Sequence, residues 1–177
     1  SAIEDVAFTY SSIQAATDVD SGDTITYSLQ SQTHDWMSLD TNTLVITGTP
    51  LAAHVGTNTA VIRATDSGSA FDDFTLTVEV AANQAPTANG NAATINVNED
   101  AADSTVDLST HFADADGGDN LTFSSSVTAT SVADLVTTSH SGSNMVVAFG
   151  ANLNGTATIQ VTATDQGANS VTKDFSV

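Results

Sequence analysis

The chain has 177 residues, of which 21 are Asp or Glu and only 2, Arg63 and Lys173, are Lys or Arg, for a formal net charge of −19. Nucleic acid is excluded as a partner, because phosphate binding needs clustered basic residues, and an anionic membrane surface would repel the chain as well. There is no cysteine, so disulfides and thiolate metal centres are excluded, and no apolar run is long enough to span a bilayer as a helix.

Hydrophobic residues make up 40% of the chain. They fall in short runs of period two broken by Gly, Asn, Asp and Ser, which predicts half-buried strands rather than disorder or helix. The first run is Ala2-Ile3. Ile25, Tyr27 and Leu29 share one face of the next clear run, followed by Leu44 with Ile46, and by Ala60, Ile62 and Ala64. Phe74, Leu76, Val78 and Val80 make the clearest strand. Thr and Ser fill most alternate positions, as suits half-exposed strands.

The pattern stops at Ala81-Ala82-Asn83-Gln84-Ala85-Pro86-Thr87. Pro86 cannot donate a ladder hydrogen bond and biases Ala85 toward extended geometry, so residues 83–87 are expected to form a short, rather stiff linker. Alternation resumes with Ile95 and Val97, Val106 and Leu108, Leu121 and Phe123, Met145, Val147 and Phe149, then Ile159, Val161 and Ala163. About seven short strands per half with frequent turn signals predict an all-β chain of two tandem immunoglobulin-like β-sandwiches, residues 1–82 and 88–177. Without an initiator Met or a signal peptide, and with both ends inside strand patterns, the sequence is expected to be an excerpt from a longer protein.

An acidic cassette is repeated. Asp18-Val19-Asp20-Ser21-Gly22-Asp23 precedes Thr24-Ile25-Thr26-Tyr27, and Asp114-Ala115-Asp116-Gly117-Gly118-Asp119-Asn120 precedes Leu121-Thr122-Phe123. Asp114, Asp116, Asp119 and Phe123 each stand 96 positions after Asp18, Asp20, Asp23 and Tyr27. This internal copy is what favours two domains of about 90 residues over one large one. Glu4-Asp5 recurs as Glu99-Asp100, and Ala64-Thr65-Asp66-Ser67-Gly68 as Ala163-Thr164-Asp165-Gln166-Gly167. Turns that follow strands of equal length belong at the same end of each sandwich, which would set Asp165 beside Asp114 and Asp116.

Calcium is a hard cation that takes oxygen ligands, and carboxylates gathered by a tight turn supply several at once. The alternative for any single turn is a solvated loop in which Asp caps backbone groups; repetition in register favours calcium. Other calcium templates do not fit. An EF-hand loop starting at Asp114 would need Asp or Asn at Gly118, Gly at Asp119 and Glu at Ser125, and nonapeptide calcium arrays need tandem copies that this sequence lacks.

Taken in order, these motifs resemble the cadherin-like repeats. The first half is most similar to the dystroglycan-type bacterial branch, through Asp18 to Tyr27, Asp35-Trp36-Met37-Ser38-Leu39-Asp40, Thr47-Gly48-Thr49-Pro50 and Ala64-Thr65-Asp66. The second half is similar through Asn98-Glu99-Asp100, Asp114-Ala115-Asp116 and Ala163-Thr164-Asp165. The resemblance implies a calcium cluster at the junction of consecutive repeats. Its ligands here would be Glu4, Asn83, Asp114, Asp116 and Asp165, with Asp119 or Asn120 adding an oxygen. Asp18, Asp20 and Asp66 would form a half-site awaiting a preceding repeat, and should bind weakly alone. Because the linker offers only Asn83 and Gln84, and Gly48 to His54 stand where vertebrate cadherins carry an acidic motif, fewer ions are expected than at a vertebrate junction.

Trp36, the only tryptophan, is a candidate stacking platform for a sugar ring but is expected in the core, with Tyr10 and Tyr27 as the remaining candidates. His34, His54, His111 and His140 are too scattered for a zinc site. No Gly-x-Ser-x-Gly elbow supports a serine hydrolase, and the carboxylates a glycosidase would need are claimed by the turns. The chain is therefore expected to be non-enzymatic and extracellular or on a bacterial cell surface. Its expected role is calcium-dependent binding of polysaccharide or a cell surface, including adhesion through homophilic cadherin-like contacts; the alternative is a passive spacer that calcium stiffens.

Overall fold

Among the described residues, which are all but Ser21, Ala92, Gly118 and Asp119, the regular elements of the computed structural model are β-strands and two short 3-10 turns, Ala52–His54 and Leu108–Thr110. The chain divides into two compact units, Ser1–Asn83 and Gln84–Val177. Each is an immunoglobulin-like sandwich with its own core.

The first unit contains β1 (Ala2–Ile3), β2 (Phe8–Tyr10), β3 (Thr26–Gln32), β4 (Met37–Asp40), β5 (Val45–Gly48), β6 (Gly56–Thr65) and β7 (Phe71–Ala81). One sheet runs β1-β7-β6-β3 and the other β2-β5-β4. β1 lies parallel to β7, with Ala2 opposite Val80, and the other pairs are antiparallel. Period-two patterning becomes burial directly. Leu76, Val78 and Val80 of β7 are buried while Thr75, Thr77 and Glu79 are exposed, and the buried set packs with Trp36, Met37, Ile46, Ala60 and Ile62.

Two residues depart from the expected alternation. Phe74 lies on the core-facing side of β7 but remains 44% exposed. Leu44 is buried from a turn, with φ 56°, and β5 begins only at Val45. Gly48 is needed where β5 passes β4, because a Cβ there would stand 1.9 Å from the Trp36 carbonyl oxygen.

The second unit contains β8 (Thr87–Ala88), β9 (Ala93–Thr94), β10 (Ser104–Asp107), β11 (Phe112–Ala113), β12 (Thr122–Thr130), β13 (Val136–Ser141), β14 (Asn144–Phe149), β15 (Ala157–Thr164) and β16 (Ser170–Ser176). Its sheets run β12-β15-β16-β9 and β10-β14-β13, with β11-β8 as a small extra pair. The topology of the first unit is thus repeated, including the parallel pairing of the final strand with a short early one. The register break in the edge strand recurs as well, between Leu29 and Ser31 and again between Val127 and Ala129; such bulges increase local twist. Along β15 the burial alternates without exception, from Ala157 to Ala163. Ile95 and Val97, expected in a strand, follow β9 in irregular backbone, where Ile95 still packs on the core and Val97 is 40% exposed.

Candidate functional site

The acidic turns fold by the same local rule in both units. Asp18 Oδ1 accepts from the Asp20 N–H at 2.8 Å, and Asp114 Oδ1 from the Asp116 N–H at 2.8 Å. Short acidic side chains that bond the backbone two residues on bend the chain into such a turn. Asp66 Oδ1 accepts from Ala70 N–H at 2.8 Å, and Asp165 Oδ1 from Asn169 N–H at 2.7 Å. The Glu-Asp pairs also match, with Asp5 at φ 61° and Asp100 at φ 59°, a left-handed conformation that Asp tolerates better than most residues.

In the first unit, the side chains of Asp18, Asp20 and Asp23 each present an oxygen, and these atoms lie within 4.8 Å of one another. Among the described residues this is the one group of three acidic or histidine side chains so gathered. Three exposed carboxylates gathered this closely offer the kind of oxygen ligands that a hard cation takes. Asp66 is outside the group. It is linked to it through its neighbour, because Ser67 Oγ donates to Asp23 Oδ1 at 2.5 Å. Asp23 belonged to the repeated cassette but not to the expected half-site; its equal spacing from Asp20 in both copies was the signal for it.

Glu4 closes back on its own unit. Its N–H donates to the Ala81 carbonyl at 2.9 Å, and its Oε2 accepts from the Asn83 N–H at 3.2 Å. In the second unit, Asp116 and Asp165 are buried, 9% and 5% exposed. Asp116 accepts from the Gln84 N–H at 2.6 Å and from Gln84 Nε2 at 3.2 Å, while Asp165 Oδ2 accepts from Asn169 Nδ2 at 3.0 Å. Asp114 Oδ2 is buried with no hydrogen-bond partner among the described residues, and a buried carboxylate oxygen so placed calls for a cation or donor. Asp119 lies outside the described residues, and Asn120 is exposed.

Trp36 is not a surface platform. It is 8% exposed, meets Phe8 edge-on at 5.6 Å, and donates from Nε1 to Asn58 Oδ1 at 2.9 Å. Asn58, 1% exposed, also bonds His34 Nδ1 at 3.0 Å and donates to the His54 and Gly56 carbonyls. His54 Nδ1 accepts from the Leu51 N–H at 2.8 Å, which closes the 3-10 turn. Sequence reading missed this network, since nothing marks Asn58 beyond its place in a Thr-rich strand.

The remaining histidines are in the second unit. His111 packs edge-on to Phe175 at 5.0 Å. Burial, followed by the nearby Lys173 charge, holds its pKa below the ordinary 6.5, with Asp107 opposing. Ser125 Oγ contacts His140 Nε2 at 2.7 Å but donates its proton to Thr138 Oγ1 at 2.8 Å. The trio ties β12 to β13.

Fold and turns together define a pair of immunoglobulin-like sandwiches bearing repeated acidic turns. A family model described as "Putative Ig domain" matches residues 1–81. No curated protein matches the sequence. Among solved structures, the endo-fucoidan hydrolase MfFcnA4 from glycoside hydrolase family 107 is similar at 22% identity, over 99% of this chain and 26% of that one, with TM-score 0.42. Human mucin-like protocadherin EC1-2 is similar at 17% identity, over 99% and 91% of the two chains, with TM-score 0.42. The human desmocollin-1 ectodomain gives 16% identity, 99% and 40% coverage, and TM-score 0.40. The chain spans about a quarter of the length of the fucoidan hydrolase it resembles.

Proposed function

We propose that this chain is a calcium-binding extracellular module of a larger protein, of the bacterial cadherin-like kind, that recognises polysaccharide or a cell surface. The observation that carries the calcium reading is the convergence of Asp18, Asp20 and Asp23 oxygens within 4.8 Å, on a chain with almost no cations to neutralise them. The buried Asp114 Oδ2 supports it in the second unit. Calcium there would be held by Asp114, Asp116 and Asp165 of the second unit. Bound calcium would neutralise clustered carboxylates and fix the turns that carry them.

One observation favours the spacer alternative. The carboxylates of Asp116 and Asp165 already accept hydrogen bonds from Gln84 and Asn169, so these turns can be rigid for their own sake. Calorimetry in calcium and in chelator, paired with retention on insoluble polysaccharide, tests both readings. Calcium at about 100 times its dissociation constant adds roughly 2.7 kcal/mol of stability, which in units of this size is a rise on the order of 10 °C. An unchanged midpoint removes the calcium reading; a calcium-dependent rise without retention on any polysaccharide leaves the spacer.

A further inference from the structure

The first unit carries an open cleft of about 270 Å3, lined by residues that include Tyr10, Tyr27 and Phe74, with Gln14 and Asp72 among its polar residues. A neighbouring cavity of about 230 Å3 shares Ala16, Ala64 and Asp72 with it and reaches Asp18 and Asp66. Strand alternation puts Asp72 and Phe74 on the same side of β7 as the buried Leu76, Val78 and Val80, yet both stay exposed, Phe74 by 44%. An apolar ring on the core-facing side, left open to solvent beside two tyrosines, is a site looking for a partner. Aromatic walls with a few convergent polar groups are the usual make-up of small-molecule pockets, and the volume suits one ring rather than an extended chain.

The polar groups decide the chemistry. An anionic ligand is opposed by Asp72, and the single guanidinium of this unit is already engaged. Arg63, the only Lys or Arg of this unit, already forms two bonds to Asp73, at 2.7 and 2.8 Å, and lies 3.5 Å over the Phe71 ring. A small cation would need acceptors only. The cleft offers donors too: the Gln14 amide, the Ser12 hydroxyl and the Tyr27 O–H, whose oxygen accepts from the Ala16 N–H at 2.8 Å and so leaves its proton to donate. Asp72 Oδ1 accepts from the Asp73 N–H at 3.0 Å, leaving its second oxygen to accept. Donors and acceptors beside aromatic faces match a sugar ring, whose C–H faces stack on aromatic rings and whose hydroxyls both give and take hydrogen bonds.

We propose that this cleft binds a single sugar ring that carries no negative charge, an exposed residue of a neutral or amino polysaccharide. The proposal rests on the polysaccharide reading above and gives it a location and a charge preference. It is tested on the full chain in calcium by titrating cellopentaose, chitopentaose and tri-galacturonate while following backbone amide NMR shifts, alongside retention on insoluble cellulose and chitin. Saturable shifts from a neutral oligomer, centred on residues 10–16 and 72–74 with Ala16 N–H among them, are expected, with no response to tri-galacturonate. Phe74→Ala and Asp72→Asn should each weaken binding by about tenfold or more, with the Trp36 fluorescence midpoint reporting that the unit remains folded.

Retention that survives Phe74→Ala, or shifts mapping to other residues, overturns the cleft while leaving polysaccharide recognition intact. Absence of both shifts and retention overturns the two together. Equal binding of tri-galacturonate, or shifts caused by tetramethylammonium and by no sugar, overturns the assignment of ligand chemistry.

Discussion

Asn58→Leu removes the amide at the centre of the first unit while keeping the branching and heavy-atom count of the side chain. The change deletes the acceptor of Trp36 Nε1 and of His34 Nδ1, and the donor to the carbonyls of His54 and Gly56. Trp36 is only 8% exposed, so its N–H is left without water and costs about 1 to 3 kcal/mol. The other three groups are half-buried and regain hydration in part, each adding about 0.5 kcal/mol, the low end of the net value of a bond. The sum is about 2.5 to 4.5 kcal/mol, a fall in midpoint of roughly 10 to 35 °C for a unit this small. Trp36 is the only tryptophan, so its fluorescence follows the first unit alone through a thermal or urea transition. A double-mutant cycle with Trp36→Phe, read by calorimetry, should recover a coupling of about 1 kcal/mol or more. A loss below about 1 kcal/mol in Asn58→Leu, or additive losses in the cycle, would refute the assignment of Trp36 as a hydrogen-bonded core residue and return it to the list of surface platforms.

Gly48→Ala forces a Cβ against the Trp36 carbonyl at 1.9 Å and should cost the first unit about 3 kcal/mol of stability or prevent folding. Gly117→Ala, where a Cβ meets nothing within 4 Å, should change the calorimetric midpoint of the second unit little. His111 has a folded pKa below 6.5, so between the two values the unfolded chain binds a proton that the folded unit does not. Its contribution is fully present above the unfolded value and is lost as pH falls through the lowered folded one. Urea midpoints of the second unit should therefore fall below about pH 6.5, and His111→Gln should flatten that part of the curve relative to the parent. Parallel curves for the two proteins would remove His111 as the cause.

The sandwich class was open to sequence reading because strand burial is a local, period-two property. Ile159, Val161 and Ala163 alternate with Gln160 and Thr162, and any sheet that buries one side of β15 must bury those three. The acidic turns were legible for a similar reason: Asp18 and Asp114 each bond the backbone two residues ahead, so the residues that make the turn are its own near neighbours. Repetition 96 positions apart then marked them out from ordinary solvated loops. What only tertiary structure decided were relations between residues distant in the chain. Asp23 joins Asp18 and Asp20 within 4.8 Å and draws in Ser67 from 44 residues away, which no spacing rule contains. Trp36 and Tyr27 were both aromatic candidates in the sequence. One is enclosed by Asn58 and Phe8 while the other lines an open cleft, because exposure depends on which strands and loops fold over a side chain and not on the side chain itself. Phe74 shows the same division: its side of β7 follows from alternation, but its 44% exposure does not.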